Sequence, residues 1–315
     1  MTPEKLQRDM VARMKLKHLK LLVTVGEQCN IFKAAQLMNM AQPAATKIIR
    51  DIESAYELTL FERSSRGVVP TLYGEVLIKH AKLVLSQIKH VSEELTSLQG
   101  GLSGHVTVGT LITASLTLLP KALVRLRAER PNISVTVVEG TQDVLLPNLV
   151  QGDLDLVVGR IPEHQDYDGL TSIELYEEPT MIVARAGHPL SNRGILSLED
   201  LLQEDWILPS PQTYLRRELD QNFRDQGLPS PAPVVESVSV LTNRTLLRET
   251  DMIAAMPYQI FRTYEQLGEL CRLPVPALAR KGPVGITMRT EGGLTPAAAC
   301  LVDDLKLVAA EITES

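Results

Sequence analysis

Apolar residues near the start of the chain recur at helical spacing, on one side only. Ile31, Ala34, Ala35 and Met38 share a face, with Leu37 beside them. After a break at Asn39-Met40-Ala41, Ala45, Ile48, Ile49, Ile52 and Ala55 form a second stripe. Asn39 suits a left-handed turn. Pro43 suits a helix start, where its missing N–H leaves nothing unpaired. The pattern predicts two short helices around a tight turn. The other side of the second helix is polar: Pro43, Thr46, Lys47 and Arg50 fall at i, i+3, i+4 and i+7, opened by Gln42. That face carries donors for base edges and phosphates. It is the layout of a helix-turn-helix whose second helix enters a major groove. An ordinary helical hairpin with a solvated basic face has the same spacing.

The next segment of the chain favours DNA. Leu60-Phe61-Glu62-Arg63 and Val68-Val69-Pro70-Thr71 flank Ser64-Ser65-Arg66-Gly67, a hairpin with a basic tip. This reads as the wing of a winged helix, with Arg63 and Arg66 facing phosphate. Thr71 can cap a helix running to about Gln99. Along it Leu77, Ala81, Val84, Ile88, Val91, Leu95 and Leu98 alternate spacings of four and three. A seam ~40 Å long between two domains points to a dimer interface. Gln99-Gly100-Gly101-Leu102-Ser103-Gly104 then breaks the helix as a hinge.

From His105 the period changes. β-rich segments recur at 105–110, 133–138, 154–159, 179–184, 206–208, 233–237, 252–256 and 283–289. Helical patterns such as Leu118–Glu129 and 144–152 lie between them. This alternation predicts an open α/β sheet with helices on both faces.

At this point the chain resembles the LysR-type transcriptional regulators. The resemblance is carried by Ala34-Ala35 through Gln42-Pro43-Ala44 and by the run Leu60 to Thr71, and it extends over the rest of the chain. One departure is Ala41, where the family usually has serine. A hydroxyl there would cap the recognition helix, worth ~1 kcal/mol; here Gln42 or water is left to do so. The resemblance implies an effector domain of two α/β lobes like periplasmic binding proteins, its C-terminal segment returning to the first lobe. The expected fold is α/β: an N-terminal winged helix-turn-helix with a long linker helix, then this two-lobed domain. The expected boundaries are an N-terminal extension 1–13, the winged helix-turn-helix 14–71, the linker and dimerisation helix 72–99 and the hinge 100–104. The effector-binding domain is 105–315, with lobe I at 105–160 and 275–315 and lobe II at 163–273. Arg160-Ile161-Pro162 and Leu273-Pro274-Val275-Pro276-Ala277 look like crossings between lobes.

In open α/β sheets ligands bind beyond the carboxyl ends of strands, against helix N-termini. Such ends carry Thr110 and Thr113, Thr141, Arg160 and Ser210. Hydroxyls, free helical amides and one arginine suit an anion such as a carboxylate. By resemblance these five occupy or adjoin effector-contact positions of the family. Thr141 as a plain N-cap, and Arg160 paired to Glu139, are the alternatives.

Composition adds limits. The 315 residues suffice for two or three domains. The net charge of −6 argues against nucleic acid until the chain is divided. Residues 1–99 hold 14 Lys+Arg against 10 Asp+Glu (+4); the remainder holds 18 against 28 (−10). Three widely spaced cysteines point to a reducing cytoplasm rather than a disulfide framework or zinc site. No apolar run reaches ~18 residues, and residues 1–13 lack a signal-peptide core; they read as a short extra helix or a frayed arm, with Met14 an alternative start. No nucleophile elbow, phosphate loop or His-Glu-x-x-His motif is present, so no catalytic residue, metal or cofactor is assigned. A solute-binding protein would share the two lobes, but would need an export signal and no helix-turn-helix. The expected partners are double-stranded operator DNA, a small anionic effector, further copies of the chain as dimer and tetramer, and RNA polymerase; no membrane is among them. The subgroup motifs Leu154-Asp-Leu-Val-Val-Gly-Arg160, Arg185-Ala-Gly-His-Pro-Leu190 and Gly282-Pro-Val-Gly-Ile-Thr-Met-Arg289 resemble regulators of protocatechuate catabolism and of a galactose-binding-protein operon. They imply control of catabolism or uptake of a small carbon source.

Overall fold

In the computed structural model, residues 2–64, 67–98, 103–162, 169–276 and 281–314 are described. The chain divides into two units, one built on Met1–Leu95, the other on Thr96–Val150 and Leu154–Ser315.

The first unit runs α1 (Pro3–Arg13), α2 (Leu16–Gln28), α3 (Ile31–Leu37), α4 (Gln42–Tyr56), β1 (Phe61–Ser64), β2 (Gly67–Pro70) and α5 (Leu72–Leu98). One core holds it together, from Leu21, Leu22 and Val25 of α2, Ala34 and Ala35 of α3, and Ala45, Ile49, Ile52 and Tyr56 of α4. The small alanines let α3 approach its neighbours closely. Asn30 caps α3 by accepting from the Lys33 amide at 3.1 Å. Asn39 takes φ 51°, the left-handed turn its side chain tolerates. Thr71 caps α5, its hydroxyl accepting from the Gly74 amide at 3.2 Å and donating to Thr59 O at 2.7 Å. The N-terminal extension is a helix, with Leu6 and Met10 packed on the same core.

The seam along α5 divides. Leu77 packs into the core and Ala81 is buried. Val84, Ile88, Val91 and Leu95 stay 43%, 49%, 52% and 57% exposed, so four consecutive seam positions lie uncovered on a single chain. The Leu98 side chain, the Arg63 and Ser64 side chains, the wing tip Ser65-Arg66 and hinge positions 99–102 lie outside the described residues.

The second unit continues with β3 (Gly104–Thr110), α6 (Ile112–Ser115), α7 (Leu118–Glu129), β4 (Ile133–Glu139), α8 (Gln142–Gln151), β5 (Leu156–Arg160) and β6 (Leu170–Arg185). Then come β7 (Trp206–Leu208), α9 (Tyr214–Asp225), β8 (Pro233–Glu236), α10 (Val240–Glu249), β9 (Ile253–Pro257), α11 (Tyr258–Gln266), β10 (Leu270–Arg272), β11 (Lys281–Arg289) and α12 (Pro296–Glu314). The strand order is β4-β3-β5-β11-β6-β9-β7-β8, with β10 on β6. Strands β3, β4 and β5 are mutually parallel, as are β7, β8 and β9. Helices cover both faces, and strand alternation shows it. In the second lobe Ile182, Trp206 and Ile253 face one core while Val183, Ile207 and Ala254 face another. In the first, Val108, Leu156 and Val158 meet α7 and α12 residues, while Val157 meets Leu145 and Leu149 of α8.

Two features depart from the sequence pattern. β6 begins nine residues before the segment expected at 179, and β10 was not expected. Residues 170–178 alternate apolar and charged positions without a continuous apolar run, and Pro179 reads as a strand boundary. The proline instead sits where β6 leaves β11 and turns to β9, since Pro179 pairs Lys281 and Thr180 pairs Pro257. The first passage between lobes therefore lies inside β6 at Glu178-Pro179-Thr180, not at Arg160-Ile161-Pro162. Of the second expected crossing, Leu273 and Val275 are buried in the second lobe's core, and Ala277 lies outside the described residues.

Trp206 meets Phe223 edge-on, with centroids 6.2 Å apart and planes at 78°, and its Nε1 donates to Leu201 O at 2.9 Å. Phe223→Ala should cost about 3–5 kcal/mol. Trp206 is the single tryptophan, so its fluorescence during urea unfolding reads this directly. An unchanged midpoint would contradict the packing described.

Candidate functional site

Helix α4 turns its apolar stripe inward and leaves the other side free. Gln42, Pro43, Lys47 and Arg50 are exposed and Thr46 is half-buried, opposite buried Ala45, Ile49 and Ile52. Ala41 precedes the helix in an extended conformation with no side-chain cap. The orientation of the wing root is set from within α4: Glu53 Oε1 accepts from the amides of Leu60 at 2.8 Å and Phe61 at 3.2 Å. The Val68 amide donates to Cys29 O at 2.9 Å, tying β2 to the end of α2. Recognition helix and wing are thus held as one surface, with Arg63 placed in β1 opposite Val68. Arg66 lies outside the described residues.

In the second unit a cavity of about 370 Å³ opens at the carboxyl ends of β3, β4, β5, β7, β8 and β9. Four helices of eight or more residues begin on it: α8 at Gln142, α9 at Tyr214, α10 at Val240 and α11 at Tyr258. Their first amides point toward the cavity mouth and favour negative charge. In the second lobe these amides have partners already. Thr213 accepts from the Arg216 amide at 3.3 Å and Ser239 from the Thr242 amide at 3.3 Å. Glu178 accepts from the Gln259 amide at 2.7 Å.

Three of the five residues read from the sequence line this cavity: Thr113, Thr141 and Arg160. Two do not. Thr110 is buried and its hydroxyl donates to Leu111 O at 3.2 Å, so it closes the end of β3. Ser210 offers its carbonyl to the Thr213 amide at 3.0 Å and hydroxyl at 2.8 Å, so it shapes the turn into α9. The polar lining missed in the sequence is Gln142, Thr213, Tyr214, Ser237, Ser239 and Asn243. Thr213 and Ser239 are N-caps, a signal a sequence carries. The strand-end rule, applied to β8 as to β3 and β4, also leads to Ser237 and Ser239.

Arg160 is buried and does more than line the wall. Its Nη1 donates to Glu178 O at 3.0 Å and to Gly282 O, and its guanidinium lies 5.2 Å from the centre of the Tyr214 ring. One cation thus grips β6, β11 and α9. A methyl on Gly282 would fall 2.5 Å from Nη1, which accounts for glycine there. Gly159, at φ 146°, likewise leaves room for Thr113, whose Oγ would lie 3.0 Å from an added Cβ. Among the described residues Arg160 forms no ion pair with Glu139.

Glu178 sits at the passage between lobes, 1% exposed. Burial pushes its carboxyl up to about 7, against the opposing pull of the Gln259 amide and of Arg160. A raised carboxyl binds its proton more tightly in the folded chain. Its contribution is full below the ordinary value of 4.5 and is lost as pH rises through about 7. Glu178→Gln should therefore remove a stability loss of at most roughly 3 kcal/mol between about pH 5 and pH 8. Urea midpoints read by Trp206 fluorescence at the two pH values test this, and equal slopes in both proteins would refute it.

Among the described residues no group of three His, Cys, Asp or Glu could hold a metal ion. No helix is long and apolar enough to cross a membrane.

Comparison with known proteins gives concordant matches. Residues 16–75 match the family described as bacterial regulatory helix-turn-helix protein, lysR family, and residues 99–309 match the LysR substrate binding domain. The HTH-type transcriptional regulator GbpR of Azospirillum brasilense is 34% identical over 301 residues, covering 95% of this chain and 88% of GbpR. The HTH-type transcriptional regulator PcaQ of Agrobacterium fabrum is 33% identical over 279 residues, covering 89% and 90%. Among solved structures, a full-length single-site variant of OxyR from Pseudomonas aeruginosa shares the fold at TM-score 0.73 and 22% identity, over 94% of this chain and 95% of that one. Full-length CbnR complexed with its target DNA does so at TM-score 0.64 and 18% identity, over 94% and 100%.

Proposed function

The chain belongs to the LysR family of helix-turn-helix transcriptional regulators, and we propose that it reads its operator through α4 and answers to a small anionic metabolite held between the two lobes of its effector domain. Regulation of transcription by DNA binding, with an effector-binding domain, follows from the family. The observation that carries the effector reading is the start of α8 beside Arg160 and Thr113 on one cavity wall. A helix N-terminus, a guanidinium and a buried hydroxyl together favour a carboxylate. The genes under control are those for catabolism or uptake of a small carbon source. RNA polymerase is the further partner, because a regulator bound at an operator acts on the enzyme transcribing the adjoining gene.

On the DNA side, Gln42, Pro43, Thr46 and Lys47 are the base-reading set and Arg50, Arg63 and Arg66 the phosphate-holding set. The exposed face of α4 supports the first assignment and the basic wing the second. Gln42→Ala or Thr46→Ala should lose discrimination between operator and random DNA, each specific contact being worth ~1–3 kcal/mol. Arg50→Ala should weaken both DNAs alike and reduce the salt dependence. Titrations by anisotropy at several salt concentrations separate the two; equal losses on both DNAs for Gln42→Ala and Thr46→Ala would reverse the assignment.

The uncovered seam of α5 supports assembly with a second copy, and the effector lobes are proposed to join dimers into tetramers. Val84, Ile88, Val91 and Leu95 offer four apolar positions at coiled-coil spacing. Val91→Asp would set an unpaired carboxylate into that seam. Sedimentation at micromolar concentration should show the dimer dissociated in the variant and operator affinity reduced with it. A monomeric wild type that binds the operator equally well would count against the interface.

A further inference from the structure

We infer that the cleft is built for a hydroxylated monocarboxylate, an acid whose carboxylate meets Thr113 and Arg160 on the first lobe and whose hydroxyl donates to Asn243 on the second. This rests on the effector reading above and narrows it. Three lining side chains each keep a polar atom shielded from solvent with no partner among the described residues: Thr113 Oγ, Arg160 Nε and Asn243 Oδ1. Thr113 and Arg160 are 6% and 5% exposed, so water does not satisfy them at the surface. Buried polar groups in folded chains are almost always paired. When three that are not paired line one cavity, the absent partner is what the cavity holds.

Their polarities differ, and that sets the chemistry. Arg160 Nε can only donate, and the Thr113 hydroxyl can donate with it. Asn243 Oδ1 can only accept. Its amide orientation follows from Nδ2, which donates to Ser237 O at 3.4 Å and leaves Oδ1 directed elsewhere. The ligand must therefore present an acceptor to the first lobe and a donor to the second. Charge falls on the same side. The helix starts of the second lobe already have their amides accepted by Thr213, Ser239 and Glu178. Glu139 in the lining opposes a second anionic group. A dicarboxylate would set an acceptor against Asn243 Oδ1, and a neutral sugar would leave Arg160 without a countercharge.

Size agrees with a compact acid. At about 30 Å³ per water, 370 Å³ holds about a dozen waters, hence a ligand of about a dozen heavy atoms. Both a six-carbon sugar acid and a hydroxybenzoate fit that count. Their shared chemistry is the proposal, and the experiment tells them apart.

Calorimetry of the whole chain tests it with two pairs, gluconate against hexanoate and 4-hydroxybenzoate against benzoate, with adipate and galactose as controls. At least one hydroxy acid should bind about tenfold or more tightly than its hydroxyl-free counterpart, since the latter leaves a buried acceptor unpaired. Asn243→Leu should bring that pair to near equality, while Thr113→Val weakens both members. Adipate, galactose or the hydroxyl-free acids binding as tightly as the hydroxy acids would overturn the inference. So would a hydroxyl preference that survives Asn243→Leu, or the absence of binding by both hydroxy acids. The wild-type ratios decide the matter even if a variant fails to fold. Acids that bind in the cleft without regard to their hydroxyl would sink this inference alone. Acids whose binding ignores Thr113→Val and Asn243→Leu alike would place the site elsewhere and remove the effector reading with it.

Discussion

One strand has to serve two sheets, and much of the second unit follows from that. β6 pairs with β11 through its first half and with β9 through its second. Every amide of a buried strand needs an acceptor. At the residue where the ladder changes partners, one amide would be left over. Pro179 occupies that residue and has no amide to leave unpaired. The neighbouring carbonyl of Glu178 is taken up by Arg160, which also holds Gly282 on β11. The two lobes are therefore joined where a proline, a buried cation and a buried carboxyl meet. The cavity opens beside that junction, because Arg160 ends β5 and forms part of its wall.

This arrangement gives a ligand a way to act. A ligand shifts an equilibrium only through different affinities for its two states. Arg160 touches both strands at the junction and the Tyr214 ring of the second lobe. A carboxylate drawn to the free Nε would compete for the same guanidinium that fixes the lobes. Binding and lobe position are then linked through one side chain, without any longer chain of contacts.

How much of this the sequence revealed depended on distance along the chain. The helix-turn-helix was legible because its determinants are local. The stripe Ala45, Ile49 and Ile52 and the turn at Asn39 lie within a few helical turns, and the structure holds them as read. The strand and helix alternation after His105 was legible for the same reason. β6 was not, because half of it is exposed and charged and its proline serves a partner change no local pattern records. The cleft was legible in part. Thr113 and Thr110 stand three residues apart on similar chemistry, yet only the first turns into the cavity, because the second ends a strand. Gln142, Ser237 and Asn243 come together only once both lobes are folded. Arg160 was found, but its grip on Glu178 and Gly282, 18 and 122 residues away, was not visible from spacing.

The DNA-reading unit and the effector unit are linked in function if a ligand in the cleft changes how the chain holds its operator. The most direct measurement is operator affinity of the whole chain, by anisotropy on a genomic fragment selected by its own binding, with and without a cleft-binding acid. The account predicts that the acid alters the wild-type affinity several-fold, a coupling of about 1 kcal/mol or more. Thr141→Val, a cavity-wall change on the first lobe, should abolish that response and leave the acid-free affinity as it was. An identical response in wild type and variant would contradict it.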